Sequence, residues 1–301
     1  MKVSNADRVI FPEVGVTKGQ VVSYYEDVAG LMADFVVGRP LTLQRFPKGL
    51  AEKGFMQKNV AKHYPASIER YQVPKNEGGT TTYPVVRDVN DIAYLANQGT
   101  ITFHVWLSTV EQPLKPDYLV LDLDPPEGSA EIVRAVALET RTVLDSFGVE
   151  SIPVATGSKG FHVWIPLAGK PDFEQVSKAS QALAGIIALK IPDQATLEFL
   201  KKERKGRVFV DWLRNHPGST VAAPFSLRPR PRASLAMPIT WDELGSTAPD
   251  AWTIGNVEDR LSDLPRWPKP VVLPIDQIVK TAEAAGVDLE ARFDRFGRDR
   301  R

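Results

Sequence analysis

Apolar and polar positions along this chain follow two periods, and the switches between them mark its elements. Val21, Val22, Tyr24, Tyr25, Val28, Leu31 and Met32 recur at helical spacing behind Thr17, a good N-cap, and Arg39-Pro40 ends the run. Leu41 to Phe46 then alternates as a strand, with Thr42 and Gln44 opposite Leu41, Leu43 and Arg45. Lys75 to Thr82 is polar and glycine-bearing, which predicts a surface loop. Val89 to Gln98 reads as a helix closed near Gly99, and Thr100 to Leu107 as a strand with His104 and Trp106 on one side. Tyr118 to Leu121 is a short apolar run cut off by Pro125-Pro126, the pattern of a buried strand.

Further on, Ser129 caps a predicted helix that reaches Phe147 and closes at Gly148. Ile152–Ala155 and Phe161–Pro166 read as strands joined by Thr156-Gly-Ser-Lys-Gly160. Phe173 to Ile191 predicts a long helix, Gln194 to Lys202 a second one, and Val208 to Trp212 a strand. Past Leu213 proline and arginine punctuate the chain. Its last stretch holds a helix over Ile275–Ala285 and ends in an arginine-rich tail.

Composition narrows the class. A length of 301 residues suits one large domain or two lobes, and 43% hydrophobic with 25% charged residues is ordinary for a soluble globular protein. Zero cysteines exclude disulfides and thiolate metal sites, and four scattered histidines make no zinc cluster. Formal net charge is zero, so affinity for a polyanion has to come from local patches. No apolar run is long enough to span a bilayer, and Met1-Lys-Val-Ser4 lacks the hydrophobic segment of a signal peptide. The expectation is a soluble cytoplasmic protein.

Three stretches carry chemistry. Asp122 and Asp124 point to one face of their strand while Leu121 and Leu123 point to the other. Such a pair is either a solvated strand end or a site for a hard divalent cation, Mg²⁺ or Mn²⁺. The Thr156–Gly160 turn offers hydroxyls, an ammonium and free backbone N–H groups, enough to cradle phosphate, or it is simply a hairpin turn. Asp211 is an acid inside an apolar strand and needs a cation opposite, either Arg214 or a metal. Around it, Lys201 to Arg232 holds nine Lys or Arg against Glu203 and Asp211, interleaved with Phe209, Trp212 and Phe225, which marks a candidate polyanion footprint.

Order and spacing together resemble a known family. Leu121-Asp-Leu-Asp-Pro125, Thr156-Gly-Ser-Lys-Gly-Phe-His162, Val210-Asp-Trp-Leu-Arg-Asn215 and Ser226-Leu-Arg-Pro-Arg230 resemble the polymerase domain of bacterial ligase D, in the archaeo-eukaryotic primase superfamily. The likeness runs upstream through Thr17-Lys-Gly19, Arg45-Phe-Pro47, Phe55-Met-Gln-Lys58, Ala93-Tyr-Leu-Ala-Asn97 and Phe103-His-Val-Trp106, and covers roughly residues 4–262. It implies an α/β (α+β) fold, a two-lobed primase-type catalytic core with a central antiparallel or mixed sheet flanked by helices. The organisation it implies is a catalytic domain over 1–262 and a C-terminal extension over 263–301, in a stand-alone, monomeric version.

The resemblance also implies roles. Asp122, Asp124 and Asp211 match three metal-binding carboxylates holding two Mn²⁺ or Mg²⁺ ions. Thr156, Ser158, Lys159 and His162 match a triphosphate-binding motif in which Thr156 stands where Ser is usual. Arg214 and Arg228 match basic residues near the incoming nucleotide, His104 a histidine near its sugar, and Phe55 an aromatic that stacks on a base. Lys18 and Arg8 match a pair that grips a 5′-phosphate across a gap, with Arg45 and Lys58 as further DNA contacts. Met56 stands in place of a second Phe and Gln44 in place of Lys, two departures from the pattern. The implied activity is template-dependent nucleotidyl transfer from NTP or dNTP to a primer 3′-hydroxyl in gapped or broken DNA, with a Ku-like end binder and a separate ligase as partners. Two rivals are a non-catalytic nucleic-acid-binding module of this fold and a Mn²⁺-dependent glycosyltransferase using Asp122 and Asp124.

Overall fold

The computed structural model describes residues 2–75, 77–126 and 128–290; the arginine-rich tail lies outside the described residues. The chain forms two compact units, the first from residues 1–113, 220–237 and 250–264, the second from 114–219, 238–249 and 265–301. Among the described residues no helix is long and apolar enough to cross a membrane.

Alternation dictates the second unit's sheet. Leu119, Leu121 and Leu123 share one face of strand Tyr118–Asp124 and are fully buried, while Val120, Asp122 and Asp124 share the other. Among the described residues this sheet has six strands, ordered Ala195–Thr196, Val208–Asp211, Tyr118–Asp124, Phe161–Pro166, Ile152–Ala155 and Met237–Pro238. Ala195–Thr196 runs parallel to its neighbour, whereas Tyr118–Asp124 is antiparallel to both strands beside it. The sheet is therefore mixed, as expected. Helices Ala130–Ser146 and Phe173–Lys190 pack on it and on each other. An N-terminal capping box, Asp172 with Gln175, fixes the start of the second helix.

The stretch after Pro265 is bound to this unit. Val271 N–H donates to Pro166 O at 3.0 Å and Ala168 N–H to Val271 O at 2.8 Å. Helix Ile275–Ala284 then lies on helix Phe173–Lys190 through Ile278 and Ala282. Gly185 makes that fit possible, since a Cβ there would stand 2.4 Å from Val287 Cγ1.

The first unit pairs helix Lys18–Val36 with helix Asn90–Asn97 and carries a four-stranded sheet among its described residues. Its strands run in the order Val221–Ala222, Thr100–Val105, Leu41–Arg45, Phe55–Gln57. Thr17 and Gln20 form a capping box at the first helix. Inside it, Tyr24 Oη donates to Phe225 O at 2.7 Å, and Tyr25 Oη accepts Leu227 N–H at 2.9 Å while donating to Ile101 O.

Three local expectations need correction. Lys75–Thr82 is not all loop, because Thr80–Val85 returns as a strand on Glu69–Pro74; the β-branched run Thr80-Thr-Thr82 already prefers extended backbone. Gln194–Lys202 is not a helix. Ala195–Thr196 pairs with Val208–Phe209, Gln194 O accepts Val208 N–H at 2.7 Å, and only a 3₁₀ turn, Lys201–Glu203, follows. Ser129 precedes its helix without a side-chain cap bond.

The Gly185 contact yields a test. Gly→Ala inside a helix gains about 1 kcal/mol of propensity, but forced overpacking costs about 1–3 kcal/mol. Gly185→Ala should therefore destabilise the wild-type chain, and less so a Val287→Ala background, as measured by chemical denaturation.

Candidate metal centre and nucleotide cradle

Strand register assembles the acids. Asp122 has Asp211 opposite it on one neighbouring strand and His162 opposite it on the other. Directly opposed residues project from the same face with Cβ atoms about 5 Å apart, so these three side chains stand in a row. Asp124, two residues along, joins that face opposite Phe209. Asp211 and His162 are buried, and Asp122 and Asp124 become progressively more open, with side chains 20% and 43% exposed.

The register itself is clamped by Asn215. Its Oδ1 accepts Val120 N–H at 2.9 Å, and its Nδ2 donates to Val120 O at 2.8 Å and to Trp212 O at 2.9 Å. A side chain thus completes the backbone bonding of the Asp strand two residues from Asp122.

Concentrated negative charge has to be countered. Arg214 Nε lies 3.0 Å from Asp211 Oδ2 and 3.4 Å from Asp122 Oδ2, bridging the two. Arg204 Nη1 lies 2.7 Å from Asp124 Oδ2, with its guanidinium 4.5 Å from the Phe209 ring centroid and Nη2 donating to Phe199 O at 3.0 Å. His162 Nε2 is 3.5 Å from Asp122 Oδ1. Burial pushes the Asp211 carboxyl up to about 6; Arg214 opposes the rise, and Asp122 and Asp124 add to it. Burial pulls Arg214 down, but Asp122 and Asp211 outweigh it and its pKa ends above the usual guanidinium value.

Among the described residues no three His, Asp or Glu side chains already form a closed ligand set; the acids here are held by arginines. Their chemistry nonetheless fits a hard divalent cation. They are carboxylate oxygens on one face, Asp211 is strained by burial, and a guanidinium already occupies the cationic position.

Beside the acids sits the Thr156–Gly160 turn. A Cβ on Gly160 would fall 1.9 Å from Leu123 O, so only glycine lets the turn meet the Asp strand. Thr156 Oγ1 is buried, donating to Gly160 O at 2.8 Å and accepting Ser158 N–H at 3.2 Å, which makes it a brace of the turn. Ser158 is half-buried and Lys159 exposed. Lys159 lines a pocket of about 320 Å³ with Asp124, Lys201, Arg204 and Arg207, a cavity rimmed mainly by cations.

The other candidates belong to the first unit. Phe55 and Met56, 48% and 49% exposed, lie on the edge strand of the four-stranded sheet, with the Arg45 guanidinium 5.5 Å from the Phe55 ring centroid. Arg45 donates to Gln98 O and Gln57 Oε1, and Lys58 is exposed. His104 sits mid-sheet between Thr42 and Ala222. Arg228 follows Phe225, whose φ of 66° is held by Tyr24 and by Phe225 N–H donating to Ala236 O at 2.6 Å. Lys18 is buried rather than displayed. Its Nζ donates to Ser4 O at 2.8 Å and Ser4 Oγ at 2.7 Å, and burial, then Arg8, lowers its pKa. Arg8 donates to Pro47 O at 2.7 Å.

Residues 17–267 match the model of the LigD primase-polymerase domain. The chain belongs to the LigD primase-polymerase family. The multifunctional non-homologous end joining protein LigD of Mycolicibacterium smegmatis is 33% identical over 87% of this chain, and the bifunctional LigD of Bacillus subtilis 29% identical over 87%. The chain spans 35% and 42% of those proteins' lengths. Among solved structures, the polymerase domain of Mycobacterium tuberculosis ligase D in complex with DNA aligns with a TM-score of 0.76 and 30% identity, covering 96% of both chains.

Within this LigD-type domain two residues escape sequence reasoning. Nothing separates Arg204 from Lys202, Lys205 or Arg207 along the basic run; only the register of Phe209 with Asp124 brings it to an acid. Asn215 is visible in the motif, but its backbone clamp is not. Asn215→Ala would leave two buried Val120 groups without partners, at about 1–3 kcal/mol each. Urea denaturation should register a loss of about 2–6 kcal/mol.

Proposed function

We propose that the chain is a template-dependent nucleotidyltransferase that joins nucleoside triphosphates, ribo or deoxy, to a primer 3′-hydroxyl in gapped or broken DNA. The supporting observation is the row His162–Asp122–Asp211 with Asp124 on the same sheet face, abutted by the Lys159-bearing turn. The family adds weight, and the curated relatives are named for non-homologous end joining. In that setting a Ku-like end binder and a ligase activity are natural partners.

Asp122, Asp124 and Asp211 would hold two Mn²⁺ or Mg²⁺ ions. When bound, such ions acidify the attacking hydroxyl and neutralise charge on the triphosphate and departing pyrophosphate. Lys159 and Ser158 supply an ammonium and a hydroxyl for phosphate oxygens, with Thr156 holding their turn in shape. Arg214 and Arg204 shield the acids before any cation arrives, and a triphosphate offers both guanidiniums an alternative partner. In the first unit, Phe55 is an open face for base stacking.

Asp122→Ala or Asp124→Ala should lower primer extension by about 10²–10³-fold, the scale of a lost transition-state charge partner, while the circular dichroism spectrum and gapped-DNA binding stay near wild type. Mn²⁺ alone should raise the melting temperature of the wild-type chain by mass action and leave that of Asp122→Ala unmoved. Wild-type extension by either variant would refute the metal assignment.

Lys18 tests the gap-end contact. Engaging a 5′-phosphate requires it to leave Ser4, so Lys18→Ala should abolish the preference for phosphorylated over unphosphorylated gaps in competition binding. An unchanged preference would remove Lys18 from that role.

A further inference from the structure

We infer that the second unit carries an additional binding site for a nucleobase with its attached phosphate, remote from the aspartates and independent of any metal there. A pocket of about 540 Å³, within the range of small-ligand sites, is lined by Trp241 and Trp267, by the buried Ile152 and Ile239, and by the exposed Arg266 and Lys269. Trp267 packs edge-on against Tyr118 and Trp164, with ring centroids 6.4 and 6.1 Å away. Tyr118 opens the strand that Asp124 closes, roughly 20 Å away at the rise of an extended chain.

The walls are preformed. Trp241 Nε1 donates to Ser151 O at 2.9 Å, which fixes that indole. Around Trp267, the lining residues Pro265 and Pro268 stiffen the backbone, and Val271 ties the segment's end to Pro166. Both indoles keep part of their surface in solvent.

Charge selects the occupant. Arg141 lies over Trp241 at 5.7 Å but is shared with Asp145 and Asp242 at 3.6 and 3.8 Å, so its charge is largely answered. Arg266 and Lys269 are exposed cations of the lining; of its two carboxylates Asp145 is held by Arg141, which leaves Glu150 against them. Indoles and exposed cations in one lining complement a flat base and its anionic phosphate. Stacking of this kind is worth about 1–3 kcal/mol per base and tolerates any sequence. A strand of single-stranded nucleic acid and a free nucleotide share this chemistry.

Photo-crosslinking of the full chain tests the site, using 4-thiothymidine octanucleotide in one arm and 4-thio-dTMP in the other, with adducts mapped by mass spectrometry. Adducts on the peptides containing Trp241 or Trp267 are expected. From the octanucleotide alone they assign a strand, and from the mononucleotide as well, a free nucleotide. Arg266→Glu/Lys269→Glu should cut the adduct yield about tenfold and flatten its log–log salt dependence by about 1.4, while extension on a gapped template stays unchanged. Absence of adducts at both peptides with both probes, or yields indifferent to the charge reversal, would overturn the site. Because extension is read separately, loss of this site and loss of the polymerase reading are distinguishable.

Discussion

Asp122 is flanked across the sheet by Asp211 and followed on the same face by Asp124, and their mutual repulsion is the constraint to which the second unit answers. Burial makes it worse for Asp211, whose carboxyl is pushed up to about 6. Arg214 spans two of the acids and Arg204 takes the third, each at ion-pair distance. Arg204 is itself anchored on the Phe209 ring and on backbone carbonyls, so its position is set by the same strand that presents Asp211. An apolar face packed on helices holds the strands together from behind, and Asn215 holds their register from the side. The acids are kept close by forces stronger than their repulsion.

A chain with zero net charge still concentrates cations where they matter. Lys159, Lys201, Arg204 and Arg207 surround one cavity beside Asp124, which gives an anion a local attraction without making the whole surface sticky. The C-terminal stretch adds to the same unit. Read from the sequence as a C-terminal extension, it bonds through Val271 to the end of strand Phe161–Pro166 and packs helix Ile275–Ala284 on helix Phe173–Lys190.

Much of this was legible in the residues. Thr17 and Gln20 do cap a helix, the Asp pair does end a strand, and Thr156–Gly160 does join two strands. Those features rest on local rules: capping, alternation and turn chemistry. The misreadings are non-local. Ala195–Thr196 looks helical until Val208–Phe209 offers it a parallel partner, and Thr80–Thr82 looks like loop until Glu69–Pro74 pairs with it. That Ser4, fourteen residues away, covers Lys18 is likewise invisible to the local pattern. Arg204 depends on a register that no local pattern encodes.

Gly160 has a wider consequence. With its Cα pressed onto Leu123 O, the lysine loop and the carboxylate strand cannot slide past one another without a backbone collision. The spacing between the backbone of the lysine-bearing loop and the acid-bearing strand is therefore set by close packing that any side chain at 160 would break.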